Sequence, residues 1–209
     1  LQVVAMAYSA GPPDGHNGQP PSGASCGLVA QCHGAAVVSN VGIEITVDGN
    51  PTQYIPGEVY NIEVFINDPF SDCFGFQFGA QFEGKIENAG EFALNSQEEG
   101  MAVSETGNFQ YVEHNEPSKN GKWNFLWIAP NGNALDDVVF YAAGVAADCN
   151  GEPVNDPTYT ISKKIASGCK SIKIEPVMQV NAIVPRCDYT GIMPSLAIDF
   201  EPVTGGSGA

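Results

Sequence analysis

Residues 22–34 read SGASCGLVAQCHG, with Cys26 and Cys32 close together and His33 directly after the second thiol. Two thiols and an imidazole at this spacing support three chemistries. Covalent haem attachment needs two thiols that meet the porphyrin vinyl groups and a following histidine that ligates iron. C-x-x-C-H does this compactly; here the longer gap demands a bulging loop, which Gly27 could help to form. Under that reading His33 is the proximal ligand, and His16 and His114 are the candidate distal ligands. A metal site is the second chemistry, because His16, Cys26, Cys32 and His33 together supply the donor types that zinc takes. The third is a disulfide, with His33 merely adjacent, and an oxidising exterior favours it over free thiols. We adopt the disulfide reading and keep haem as its alternative.

The other cysteines, Cys73, Cys149, Cys169 and Cys187, are spread along the chain without a dense zinc-type cluster. In an exported protein they are expected to form disulfides, whose connectivity the sequence does not fix. Carboxylates gather in several places, and hard cations take clustered oxygens on turns. Asp148, Asn150, Glu152 and Asp156 are the best calcium candidates, set against a plain solvated acidic surface. There is no H-E-x-x-H, P-loop or dinucleotide fingerprint, so no catalytic residues are assigned and no enzyme is expected. The expected cofactor state is accordingly none, with covalent haem or calcium as the alternatives.

The chain has 209 residues, with 8 basic against 24 acidic side chains and a net charge of -16. No lysine or arginine occurs before Lys85. Such a surface repels nucleic-acid phosphates and anionic headgroups, which excludes nucleic acid as an expected partner. No stretch approaches the roughly 18 apolar residues of a membrane-spanning helix. The opening LQVVAMA resembles the end of a signal peptide and equally a first strand.

The elements that must position these residues read as strands. Residues 8–36 are dense in glycine and proline and have no sustained period, so they are expected to form a loop-like arm. VGIEITVDG (41–49) alternates and ends in an Asp-Gly turn, and Val59, Ile62, Val64 and Ile66 mark the next run. In CFGFQFGAQFEG (73–84), Phe74, Phe76, Phe78, Ala80 and Phe82 share one face, opposite Cys73, Gly75, Gln77, Gly79 and Gln81. Trp123, Phe125 and Trp127 alternate likewise, which favours core packing over ligand stacking. Residues 136–151, 158–165, 170–184 and 195–203 add further strands. Only AGEFALNSQEEGMA (89–102) offers a turn or two of helix. Many short strands separated by Gly, Pro and Asn turns predict an all-β, antiparallel sandwich.

YVEHNEPSKNGKWNFLWIAPNGNALDDVVFYAAGVAADCNGEPVND (111–156) resembles the bacterial surface domains called choice-of-anchor V and, more distantly, the Reeler domain of animal extracellular proteins. A histidine before a polar loop, a W-x-F-x-W-x-A-P strand and a V-x-F-Y-A-A-G strand carry the resemblance. The glycine-phenylalanine strand at 73–92 and the glycine-proline arm at 9–34 extend it. The resemblance implies an immunoglobulin-like β-sandwich, secreted or attached to a cell surface, often as one module of a larger protein. Members typically carry C-x-x-C-H at the end of the arm, and this chain departs from that spacing.

The expected organisation is therefore an arm at 1–36, with 1–7 as a candidate signal-peptide remnant. A Reeler-like sandwich follows at 37–160, then further disulfide-stapled strands at 161–203 and a flexible tail at 204–209. The expected function is an extracellular, non-catalytic module for cell-surface adhesion or structural assembly, as a filament or layer subunit. Its partners would be other surface proteins or copies of itself. The alternative is an extracellular c-type haem electron-transfer protein.

Overall fold

The computed structural model describes residues 10–27, 33, 38–39, 41–96, 99–131, 136–152 and 156–168. Eleven strands follow in chain order: β1 (Val38–Ser39), β2 (Ile43–Val47), β3 (Gln53–Tyr54), β4 (Val59–Ile66), β5 (Cys73–Phe82), β6 (Glu91–Leu94), β7 (Met101–Thr106), β8 (Phe109–His114), β9 (Lys122–Ile128), β10 (Val138–Ala147) and β11 (Thr158–Ser167). They form two sheets. One has the order β1-β11-β10-β5-β8-β7 with β3 also paired to β11, and the other has the order β2-β4-β9-β6. Neighbours are antiparallel except for the short β1 and β3, which lie parallel to β11.

The alternation in the sequence becomes the sandwich core. Trp123, Phe125 and Trp127 of β9 are 3%, 0% and 0% exposed. They meet the opposite sheet ring against ring. Phe76 stacks on Trp123 at 4.3 Å, Phe78 stands edge-on to Phe125 at 5.0 Å, and Trp127 meets Phe140 edge-on at 4.8 Å. Burying that much aromatic surface removes a large apolar area from water, and the offset geometries suit the ring quadrupoles. The Trp127 indole is satisfied, since its Nε1 donates to the Ala89 carbonyl at 2.9 Å.

Two details differ from the sequence reading. Residues 89–102 hold no helix among the described residues; they contain β6 and the start of β7. The cross-strand register explains this, because Phe92 pairs with Trp127 of the same sheet and its side chain packs on Phe125 and, across the sandwich, on Phe78. Tertiary burial overrides a weak local helical preference. In addition, β11 crosses the expected boundary at 160, because Ile161 and Ile165 pair with Ala142 and Val138 of β10. That stretch is part of the larger sheet. The expected signal remnant at 1–7, the strands expected beyond 168, Cys169, Cys187 and the tail at 204–209 lie outside the described residues.

β5 is buried on both faces. Its phenylalanines point into the sandwich, while the face of Gly75, Gln77, Gly79 and Gln81 is covered by residues of the arm and β8. A Cβ on Gly75 would stand 2.6–3.0 Å from the His114 ring, and one on Gly79 would stand 2.5–2.6 Å from the amides of Asn17 and Gln19. The two glycines therefore let a second layer of side chains approach the backbone of β5.

Candidate functional site

At the end of the sandwich where β5 begins and β8 and β10 finish, the arm closes over a cleft of about 220 Å³ that is open to solvent. Its apolar walls include Pro12, Pro13, Phe74, Phe76, Pro117 and Val145. The chain has three histidines, and all of them, His16, His33 and His114, line this cleft together with Cys26. Asp148, Asn150, Glu152 and Asp156 line it as well, so two candidate sets separated in sequence share one place.

The arm reaches the cleft through a polar clip. Gln77 is fully buried in β5, and its Oε1 accepts from the His16 backbone N–H at 2.7 Å. Its Nε2 donates to the Pro13 carbonyl at 3.2 Å and to Glu113 Oε2 at 2.8 Å. A buried amide with these partners fixes its neighbours, because each unmade bond would cost desolvation. Asp14 extends the clip by accepting from Ser104 Oγ at 2.7 Å and from the Thr106 hydroxyl. Burial pushes the Glu113 carboxyl above its ordinary value, while the bond from Gln77 pulls it back.

Each histidine is anchored through Nδ1. His16 Nδ1 lies 2.9 Å from the Pro13 carbonyl and 3.2 Å from that of Asp14. Carbonyls only accept, so this nitrogen is the donor. His33 Nδ1 lies 3.1 Å from Asp156 Oδ2, with both side chains largely buried. Here too Nδ1 is the donor, to a carboxylate oxygen. Burial pushes the Asp156 carboxyl up, and the His33 contact opposes that shift. His114 differs: its Nδ1 accepts from the Phe76 N–H at 3.0 Å and also lies 3.1 Å from the Phe76 carbonyl. Its ring packs against the backbone of Gly75.

The far wall is covalently fixed. Cys73 at the start of β5 and Cys149 just beyond β10 form a disulfide with Cα atoms 5.5 Å apart. Cys149 has a φ of 61°, which turns the chain back toward β5. Phe74 and Ser118 exchange two 2.9 Å backbone bonds, which bring Pro117 to the cleft. Next to Ser118, Lys119 sets its exposed ammonium 3.5 Å from Cys73 Sγ and 3.4 Å from Cys149 Sγ.

The expected sites are distributed as follows. Cys26 is buried in the cleft wall, whereas Cys32 lies outside the described residues, so the two-thiol arrangement is not described. Of the calcium candidates, Asp148 is occupied locally: its Oδ1 accepts from the Asn150 N–H at 3.0 Å and its Oδ2 from Asn150 Nδ2 at 2.8 Å. Asn150 Oδ1 accepts from the Glu152 N–H at 2.5 Å, and Asp156 faces His33. Among the described residues, no three histidine, cysteine or carboxylate side chains are grouped to hold one metal ion. The same residues contain no helix long and apolar enough to cross a membrane. Gln77, Gly75, Phe74 and Lys119 were not anticipated at the site. The one available signal was the alternation of glycine and glutamine on the second face of β5.

A family model for the Reeler domain matches residues 24–149. The Reelin-N domain of F-spondin has a similar structure, with 20% identity and a TM-score of 0.51 over 68% of this chain and 98% of that one. The human F-spondin reeler domain aligns at 19% identity and a TM-score of 0.49, over 64% of this chain and 94% of that one. No curated protein matches the sequence.

Proposed function

This chain belongs to the Reeler domain family, and from that premise we propose that it is an extracellular, non-catalytic module for cell-surface adhesion or structural assembly, able to act as a filament or layer subunit. The finer kinship to choice-of-anchor V surface domains, with an immunoglobulin-like sandwich, rests on the tryptophan strand and the glycine-phenylalanine strand. The Cys73–Cys149 disulfide supports an oxidising compartment, where such bonds form and persist. The acidic surface suits partners that are basic or bridged by cations.

One observation carries the assembly reading. Among the described residues β7 is paired on one side only, with β8, and ends the larger sheet. An edge of this kind offers backbone donors and acceptors to an added strand, from another protein or from a second copy. Phe70, 93% exposed, and Val41, 77% exposed, add apolar surface elsewhere on the module.

Sedimentation and electron microscopy of the full chain across concentration test the proposal, alongside binding to cell surfaces. Concentration-dependent oligomers or cell binding that Ala102→Lys abolishes support it, because a lysine on an edge strand discourages pairing. A chain that stays monomeric and binds no surface overturns it.

A further inference from the structure

Strand-edge assembly makes no use of the Cys73–Cys149 disulfide, whose surroundings suit a second role. We infer that this bond is a site of thiol–disulfide exchange in the folded protein: a thiolate from a solvent dithiol attacks Cys149 Sγ, and Cys73 leaves beside the Lys119 ammonium. Three observations carry this.

The first is access. Both cysteines line the solvent-open cleft. Cys149 is exposed on the turn just beyond β10, while Cys73 is half-buried at the start of β5. Exchange depends on which sulfur an incoming thiolate can reach, and Cys149 is the more open of the two.

The second is charge. Lys119 Nζ donates to Cys73 Sγ at 3.5 Å and to Cys149 Sγ at 3.4 Å. A disulfide sulfur is a weak acceptor and a thiolate a charged one, so these contacts strengthen as a sulfur leaves with its electron pair. Stabilising the leaving thiolate speeds exchange. The chain neighbours of the two cysteines, Asp72 and Asp148, are acidic and oppose a new negative charge, which makes the ammonium decisive.

The third is what stays in place once the bond opens. Cys73 pairs with Ala147 in the β5–β10 ladder, and the Asp72 N–H donates to the Ala147 carbonyl at 3.0 Å. The paired bonds between Phe74 and Ser118 keep the chain next to Lys119 against β5. These contacts are all backbone, so the two thiols remain neighbours and the bond can close again. Meanwhile the turn that places Asp148, Asn150 and Glu152 in the cleft wall loses its covalent tie to β5. The oxidation state therefore sets how firmly that wall is held.

The exchange balances in two steps. Attack forms a mixed disulfide between the dithiol and Cys149 and expels Cys73 as a thiolate, which takes up a proton. The second thiol of the dithiol then attacks its partner sulfur in the mixed bond and expels Cys149, which is protonated in turn. Two electrons and two protons pass to the protein, and the dithiol becomes a disulfide.

The test treats the full chain with dithiothreitol in the absence of denaturant. Samples are quenched and alkylated, each cysteine is followed by peptide mass spectrometry, and circular dichroism monitors the fold. Cys73 and Cys149 are expected to become alkylated while the protein stays folded. Cysteamine, a monothiol, should leave its adduct on Cys149. Lys119→Gln should slow the opening about fivefold, and Lys119→Arg should keep about the wild-type rate, both with unchanged melting temperatures. Lys119→Met serves if the glutamine variant is not folded.

Three results overturn the assignment. One is a pair that stays oxidised until the chain unfolds, its opening following global unfolding in urea. Another is a wild-type rate in folded Lys119→Gln. The third is a cysteamine adduct carried by Cys73 instead of Cys149.

Discussion

The aromatic core and the histidine cleft lie at opposite ends of a scale of locality. The core is built from rings that alternate along β5, β9 and β10, so each strand carries its own share of the information. The cleft takes His16, Cys26 and His33 from the arm, His114 from the end of β8, and Val145, residues 147–152 and Asp156 from the end of β10 and the chain after it. The core stabilises the fold by burying area. The cleft instead holds polar groups that must each be satisfied, and its worth lies in placement. The first tolerates shape change at a cost in stability, while the second loses its geometry when a clip or a glycine changes.

Removing a core ring has the largest expected effect. Trp127→Ala should destabilise the fold by about 3–5 kcal/mol, read by chemical denaturation, with the altered end of the core lying away from the histidines. A much smaller loss would mean that the rings contribute less than their burial implies.

Replacing both Cys73 and Cys149 with serine should cost about 2–5 kcal/mol. This change sharpens the comparison, because the bond ties the β5–β10 ladder and also lines the cleft. Stability and the hydrogen-exchange protection of the cleft backbone should therefore fall together, whereas Trp127→Ala should spare that protection while the protein remains folded.

Gly75→Ala tests the cleft floor more directly. The added methyl meets the His114 ring, so about 1–3 kcal/mol of overpacking is expected, measured by thermal melting. An unchanged melting temperature would show that the ring moves aside freely.

The smallest effect concerns alkaline pH. Burial, followed by the charges of Asp136 and Asp137, pushes the Tyr54 phenol from 10.0 up to about 12, while its hydroxyl donates to the Asp136 carbonyl at 2.8 Å. The folded state thus favours the protonated phenol. Its contribution is full below the unfolded value near 10 and is lost as pH rises through about 12. Tyr54→Phe should cost about 1 kcal/mol at neutral pH and shallow the decline in melting temperature above pH 10. Tyr159, pushed up to about 12 by burial and its 2.7 Å bond to Asp68, should leave a residual decline.

What the sequence discloses follows the same division. Period-two alternation exposed the strands and the aromatic stripe, because a strand's two faces are written into neighbouring residues. The burial of the arm was not legible, since a glycine- and proline-rich segment has no period, and its contacts are single amides such as Gln77 that look solvated on paper. Phe92 was misread because its partner Trp127 is distant in the chain. The histidines were grouped with one another and the acids with one another, but that the two sets share one cleft was not legible, because no spacing rule relates residues 16, 33 and 114 to 148–156. Gly75 and Gly79 were the nearest thing to a written sign: a strand that gives up its side chains is making room for something.

The disulfide also has a mechanical consequence. It joins positions 76 residues apart, so a pull along the backbone passes from Cys73 to Cys149 through one covalent bond and bypasses everything between. Roughly 260 Å of extended chain is thereby withheld from the load. β5 through β10 lie within that span, so a tethered module would release only its flanking segments under tension until the sulfur bond is reduced.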